Sequence, residues 1–242
     1  MAKAPIAGEV KTRLAPPLTQ EQAADLYRAL LLDQLEHLQG FATAELYLVY
    51  TPDSAALLME QLAPPNFHCL AQRGGDLGER MKFAFSDLWQ RGHRNVALVG
   101  SDLPALPLSF FDTAFALLTA ETHQVVLGPS RDGGYYLVGM NRSTPEIFDK
   151  MIWSHDRVLA QTTDRLGKLG IEPALLPEWF DIDSVDDLKQ LDALSEPAAR
   201  EAVKRTLGYL KAIGPLDRFN PGAYRFRPRP PVRGFRRVAE SC

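Results

Sequence analysis

Cysteine is scarce in this chain: Cys69, inside an apolar run, and Cys242, at the end, are the only two. Two thiols so far apart in sequence make neither a disulfide framework nor a zinc site, which needs clustered ligands. The five histidines are scattered without metal-ligand spacing. No stretch approaches the roughly 18 apolar residues of a membrane helix. The first 13 residues carry Lys3, Lys11 and Arg13 but lack the apolar run of a signal peptide. A cytoplasmic protein without a membrane partner is the resulting expectation. Excess charge is missing as well, with 27 Lys+Arg against 30 Asp+Glu and a formal net charge of −3. A dedicated nucleic-acid binder is therefore not expected.

That small sum hides an uneven distribution. Residues 218–242 hold seven arginines against one acid, Glu240, a net of +6. The remaining 20 basic and 29 acidic residues leave 1–217 at −9. From Gly214 onward, Pro215, Pro221, Pro228, Pro230 and Pro231 interrupt any period. Residues 214–242 accordingly read as a basic, flexible tail, and residues 1–213 as the folded domain. With 45% apolar residues, the domain is able to bury one sizeable core.

What is present is a rhythm of short apolar runs and helical periods. Residues 45–51 (ELYLVYT), 67–71 (FHCLA), 95–100 (NVALVG) and 123–128 (HQVVLG) have the length and composition of strands buried on both faces. Helical spacing fills 19–38, 54–62 and 77–91, and a further helix opens at Pro107. Thr19 and Gln22 form a capping-box pattern at the start of the first. This alternation predicts an α/β fold, a mostly parallel sheet with helices on both faces. The rhythm breaks at 135–140 (YYLVGM), separated from the previous run by six residues only. No crossover helix fits there, so this strand either runs antiparallel or leaves the sheet edge. Helices are expected at 145–150, 156–169, 185–194 and 198–212, with a short run at 173–176.

In an open parallel sheet, ligands bind beyond the carboxyl ends of the strands, so the segments after each strand matter most. Ala4-Pro5-Ile6-Ala7-Gly8-Glu9-Val10-Lys11-Thr12-Arg13 combines backbone N–H groups with two cations. It fails the P-loop pattern because Val10 precedes Lys11, and it reads either as a polyphosphate loop or as a solvated basic terminus. Gly100-Ser101-Asp102 ends an apolar strand on a carboxylate, suited to a divalent cation or simply to a turn. Asp132-Gly133-Gly134 permits close approach of a ligand, or a plain turn. Asp181 and Asp183 stand at i, i+2, on one face if extended. Carboxylates about 4 Å apart repel by about 4 kcal/mol at an effective dielectric of 20, so gathering Asp102 and Asp183 requires a cation between them. Ser184 and Asp187 form a helix-capping pattern instead. Gln72-Arg73-Gly74-Gly75-Asp76 is a glycine-rich turn where a base or sugar is able to dock.

These segments occur together and in order: Lys3 to Gly8, Lys11 to Leu14, Gln72 to Met81, Gly100 to Pro104, Asp132 to Leu137, Trp153-Ser154, and Asp181-Ile182-Asp183 with Asp187-Leu188. Jointly they resemble the glycosyltransferase-A-like nucleotide-diphospho-sugar transferases. The particular likeness is to the bacterial branch associated with radical-SAM or selenium domains or with arsenosugar biosynthesis. The resemblance implies a glycosyltransferase-A, Rossmann-like fold and a nucleotide held by Ala4, Pro5, Gly8, Lys11, Arg13, Gln72 and Gly74. It further implies Mg²⁺ or Mn²⁺ at Asp102, Asp183 and Asp181, with Lys11 and Arg13 contacting phosphates. Asp132 is the candidate base for an acceptor hydroxyl. Only Met1 and Ala2 precede Lys3 where members of the family open with a full apolar strand, so either the true start lies upstream or the first strand is truncated. A lone Asp102 replaces the Asp-x-Asp of many sugar transferases. The readings in view are sugar transfer from a nucleoside-diphosphate sugar to a small acceptor, guanylyltransferase-like nucleotidyl transfer with release of pyrophosphate, and nucleotide binding without turnover.

Overall fold

The first long helix starts as its sequence requires. Thr19 Oγ1 accepts from the Gln22 N–H at 3.1 Å, and Gln22 Oε1 accepts from the Thr19 N–H at 2.9 Å. Both groups would otherwise lack partners at the start of α1 (Gln20–Leu38). In this computed structural model residues 1–153, 155–192 and 194–214 are described. Ser154 of the Trp153-Ser154 pair and the expected tail beyond Gly214 lie outside the described residues.

Three strands pair in parallel in the order β1 (Ala2–Lys3), β2 (Leu46–Thr51), β3 (Phe67–Ala71). Their register sets Ala2 opposite Tyr50 and Leu46 opposite Phe67. Helix α2 (Ala56–Leu62) carries the chain from β2 to β3. As the edge of its sheet, β3 is only partly covered and leaves His68 exposed, where burial on both faces was expected. Asp76 Oδ1 accepts the Glu79 N–H at 2.8 Å and caps α3 (Leu77–Gln90).

The second sheet contains β4 (Val96–Val99), β5 (Val125–Pro129), β6 (Tyr135–Met140) and β7 (Ala174–Leu175), in the order β4-β6-β5-β7. Strand β6 runs antiparallel to both β4 and β5 and lies between them, not at an edge. Six residues reverse a chain but cannot carry a parallel crossover. Helices cover both faces. Val125, Leu127 and Val138 pack with Met81 and Phe85 of α3, while Val126 and Leu137 pack with Phe111 and Leu118 of α4 (Leu108–Thr119). Alternate strand residues thus serve opposite layers. After α5 (Val158–Lys168), β7 joins β5 in parallel.

The expected helix at 145–150 is a short 3-10 turn, Pro145–Phe148, and the one expected at 198–212 is two, α7 (Pro197–Glu201) and α8 (Lys204–Ile213), after α6 (Val185–Asp192). A buried carboxylate docks α8 onto α1. Asp33, 3% exposed, accepts from the Thr206 N–H and hydroxyl, each at 2.8 Å.

The two sheets meet at the amino terminus. The Met1 ammonium donates to the Val99 carbonyl at 2.6 Å. Burial pushes its pKa down to about 6, against the pull of Asp102. Beside it, between β2 and β4, lies a cavity of about 900 Å³ lined by Leu46, Val49, Val96 and Leu98 and, among polar residues, by Glu45 and Asn95.

Candidate active site

Three loops converge beyond the carboxyl ends of the strands. In the first, buried Val10 and Leu14 anchor the chain on either side of Lys11. Lys11 itself takes the left-handed conformation (φ 47°, ψ 37°), which non-glycine residues rarely adopt. That conformation precedes a 3-10 turn, Thr12–Leu14, and the Lys11 side chain is only 5% exposed. In the second loop, Gly100-Ser101-Asp102 leaves β4 under restraint: Gln34 Nε2 donates to the Gly100 carbonyl at 2.7 Å, and the Ser101 and Tyr27 hydroxyls lie 2.7 Å apart.

The third loop, residues 179–184, is laid along the other two by its backbone. The Trp179 N–H donates to the Pro129 carbonyl at 3.0 Å, and the Ile182 N–H donates to the Asp102 carbonyl at 3.1 Å. Phe180 and Ile182 are buried in the core with Leu14, Leu18 and Leu26. The alternation of an extended chain then turns Asp181 and Asp183 to the opposite side. Asp187 serves the helix start, its Oδ2 accepting from the Ser184 N–H and hydroxyl at 2.7 Å each.

Asp102, Asp181 and Asp183 consequently gather, each offering a carboxylate oxygen within 4.8 Å of the others. The cation that such a gathering requires is supplied by the chain itself. Lys11 Nζ lies 2.6 Å from Asp102 Oδ2 and 2.8 Å from Asp183 Oδ1, and Arg13 Nη1 lies 3.3 Å from Asp183 Oδ2. Burial alone would lower the Lys11 pKa, but Asp102 and Asp183 outweigh it and hold the ammonium above the ordinary lysine range. Burial pulls the Asp183 carboxyl upward, yet Lys11 and Arg13 keep it below the usual carboxylate range. Asp181 has no such partner. Burial first, then the charges of Asp102, Asp183 and Asp132, push its pKa up to about 7. Three hard oxygen donors, one of them without a cation partner among the described residues, fit a Mg²⁺ or Mn²⁺ ion.

A cavity of about 330 Å³ opens beside this cluster. Lys3, Lys11, Arg13 and Arg80 line it, together with Gln72, Asp102 and Asp183. Arg80 was not singled out in the sequence. The signal available was its place one turn into α3, behind the Asp76 cap. Gln72 is engaged in holding strands together, its Nε2 donating to the Val49 carbonyl at 2.8 Å and the Ala2 carbonyl at 3.1 Å. Ala4, Pro5, Gly8 and Gly74 do not line this cavity. Ala4 is fully buried, its N–H donating to the Thr51 carbonyl at 2.7 Å. Gly74, at φ +115°, makes the tight turn onto α3.

Asp132 stands on the β5–β6 connection, where its Oδ1 accepts the Gly134 N–H at 2.9 Å. It lines a second cavity together with Asp102 and Asp181. Sequence reasoning also missed the aromatic wall of that cavity, Tyr135 and Trp153. Both lie in segments that stood out for their order in the chain but not for their chemistry.

Comparisons with known proteins bear on the family and the fold. The profile of a family described as "uncharacterized protein conserved in bacteria (DUF2064)" matches residues 34–155. The chain is also similar to the solved structure of a candidate nucleotide-diphospho-sugar transferase from Desulfovibrio desulfuricans G20. That similarity has a TM-score of 0.76 and 34% sequence identity, and covers 87% of this chain and 93% of the other. No curated protein matches.

Proposed function

From the premise that this chain belongs to the bacterial DUF2064 family, we propose that it is a metal-dependent transferase moving a sugar from a nucleoside-diphosphate sugar to a small acceptor. One observation carries the reading: a cavity lined by Lys3, Lys11, Arg13 and Arg80 meets the three-carboxylate cluster at Asp102. Cations along one wall suit a diphosphate, and oxygen donors at its end suit the ion that accompanies it. The name of the Desulfovibrio neighbour points the same way.

In this reading Asp102, Asp181 and Asp183 would hold Mg²⁺ or Mn²⁺, which when bound would supply positive charge against the departing diphosphate. Lys11 and Arg13, which line the cavity, stabilise the negative charge that develops on the leaving oxygen. The acceptor hydroxyl oxygen bonds to the anomeric carbon as the bond from that carbon to the diphosphate oxygen breaks. The electron pair leaves with the diphosphate, and the acceptor proton passes to the Asp132 carboxylate.

A thermal-shift panel of nucleotides and nucleoside-diphosphate sugars, with and without Mg²⁺ or Mn²⁺, tests the assignment. Stabilisation by a nucleoside-diphosphate sugar should require the metal and vanish in Asp102→Ala. Retained metal-dependent binding in that variant would remove Asp102 from the site. Pyrophosphate released from a nucleoside triphosphate would establish nucleotidyl transfer in place of sugar transfer. Binding without turnover across a donor–acceptor panel would identify a nucleotide-binding protein.

A further inference from the structure

The second cavity, of about 280 Å³, differs in chemistry from the first although the two share Met1, Leu77, Gly100 and Asp102. Much of its lining is apolar and aromatic, including Met81, Val138, Val158, Tyr135 and Trp153. The Tyr135 and Trp153 rings meet edge to face with centroids 6.5 Å apart. Trp153 Nε1 is buried and has no hydrogen-bond partner among the described residues. The polar end is acidic: Asp102, Asp132 and Asp181 line it, and the Ser130 hydroxyl donates to Asp181 Oδ1 at 3.4 Å. Among the described residues no lysine or arginine lines this space, and His155 is the only histidine. The Met1 ammonium on the shared wall is directed to the Val99 carbonyl.

We infer that this cavity is the acceptor subsite, and that it takes a small uncharged or cationic hydroxyl compound with an apolar ring, not a phosphorylated or carboxylated acid. The identification as an acceptor site rests on the sugar-transfer reading above, while the ligand chemistry rests on the walls themselves. Burying a ring against Met81, Val138 and Val158 removes apolar surface from water. The volume falls just below the roughly 300–1,000 Å³ of ordinary ligand pockets, which limits the occupant to a small molecule. A hydroxyl at the acidic end has Asp132 to receive its hydrogen bond, beside the wall shared with the cationic cavity. An anionic head in the same position meets carboxylates and finds no guanidinium fork to receive it.

The test uses the full chain with Mg²⁺ in isothermal titrations of tyramine, phenethyl alcohol and phenyl phosphate. Tyramine and phenethyl alcohol should bind, with phenyl phosphate weaker by about tenfold or more. Val158→Trp, which fills the apolar wall, should abolish binding of the first two. His155→Lys, which adds a cation to the wall, should narrow the gap by strengthening phenyl phosphate, and it decides the question if Val158→Trp fails to fold. Phenyl phosphate binding as tightly as tyramine to the unaltered chain overturns the inference. So does failure of all three probes to bind while a nucleoside-diphosphate sugar does, a result that leaves the donor reading standing. Ring binding without any nucleotide binding supports the ligand chemistry and sinks the donor reading.

Discussion

Asp181 is the residue whose environment departs furthest from that of a surface carboxylate. Its pKa rises from an ordinary 3.8 to about 7, through burial first and then through the neighbouring acids. An acid raised in this way favours folding while it is protonated. The contribution is fully present below about pH 4 and is lost as the pH climbs through 7. Asp181→Asn should therefore leave the Tm nearly unchanged at pH 4 and raise it at pH 8, by about 2 kcal/mol, or on the order of 5 °C. Scanning calorimetry at the two pH values checks this, and an equal effect at both would mean that Asp181 bears no buried charge. Lys11 is the complementary case. The requirement for a cation between Asp102 and Asp183 could be argued from Coulomb's law, but no sequence pattern identified that cation as Lys11. The contact spans more than 170 positions of chain and exists only once three loops have converged.

The turn between β5 and β6 shows how an element carries a functional residue. Asp132-Gly133-Gly134 read both as a ligand loop and as a turn, and its backbone makes the turn: Gly133 donates its N–H to the Ser130 carbonyl at 3.0 Å. Gly133 has φ +87°, and a Cβ there would lie 2.1 Å from the Asp156 carbonyl oxygen, a backbone atom unable to step aside. Gly133→Ala should cost about 2 kcal/mol or more through strain and clash, and should displace Asp132 along with the turn. Calorimetry together with acceptor-dependent turnover checks it; a variant with unchanged Tm and activity would show that the turn tolerates a side chain. Elements like this were legible in outline. Six residues excluded a crossover, but whether β6 ran antiparallel or left the edge depended on pairing partners more than 30 residues away, in β4. Helix starts marked by a local cap, such as Thr19 with Gln22, were readable because cap and helix are neighbours in sequence. The break between α7 and α8 was not, since part of what seats α8 is the buried carboxylate of Asp33, on a distant helix.

At the scale of the whole molecule, the two sheets join through a short element: β1 has two residues, the Met1 ammonium is buried, and a cavity of about 900 Å³ lies between β2 and β4. An engineered extension of five β-branched apolar residues before Met1 should enter that cavity. It replaces the buried ammonium with an amide N–H that donates to Val99 without charge, and it buries new apolar surface. Stability should rise by about 3 kcal/mol or more, given about 0.8 kcal/mol per buried CH₂. Denaturant unfolding of the two chains measures the difference, and equal midpoints would show that the extension stays in solvent.

The α/β class, the strand and helix alternation, the first helix cap and the set of acidic and basic candidates all followed from the sequence by itself. Each rests on short-range physics: the period of apolar residues, the satisfaction of nearby N–H groups, and the composition of loops after strands. Tertiary structure alone decided which candidates meet. It set Lys11 between Asp102 and Asp183, turned Asp181 into a half-buried acid, and brought Arg80 into the cationic cavity while leaving Ala4, Pro5, Gly8 and Gly74 outside it. It also set that cavity against an acidic, aromatic one sharing a wall. Burial and charge proximity, which govern this chemistry, depend on distances in space that residue order along the chain does not specify.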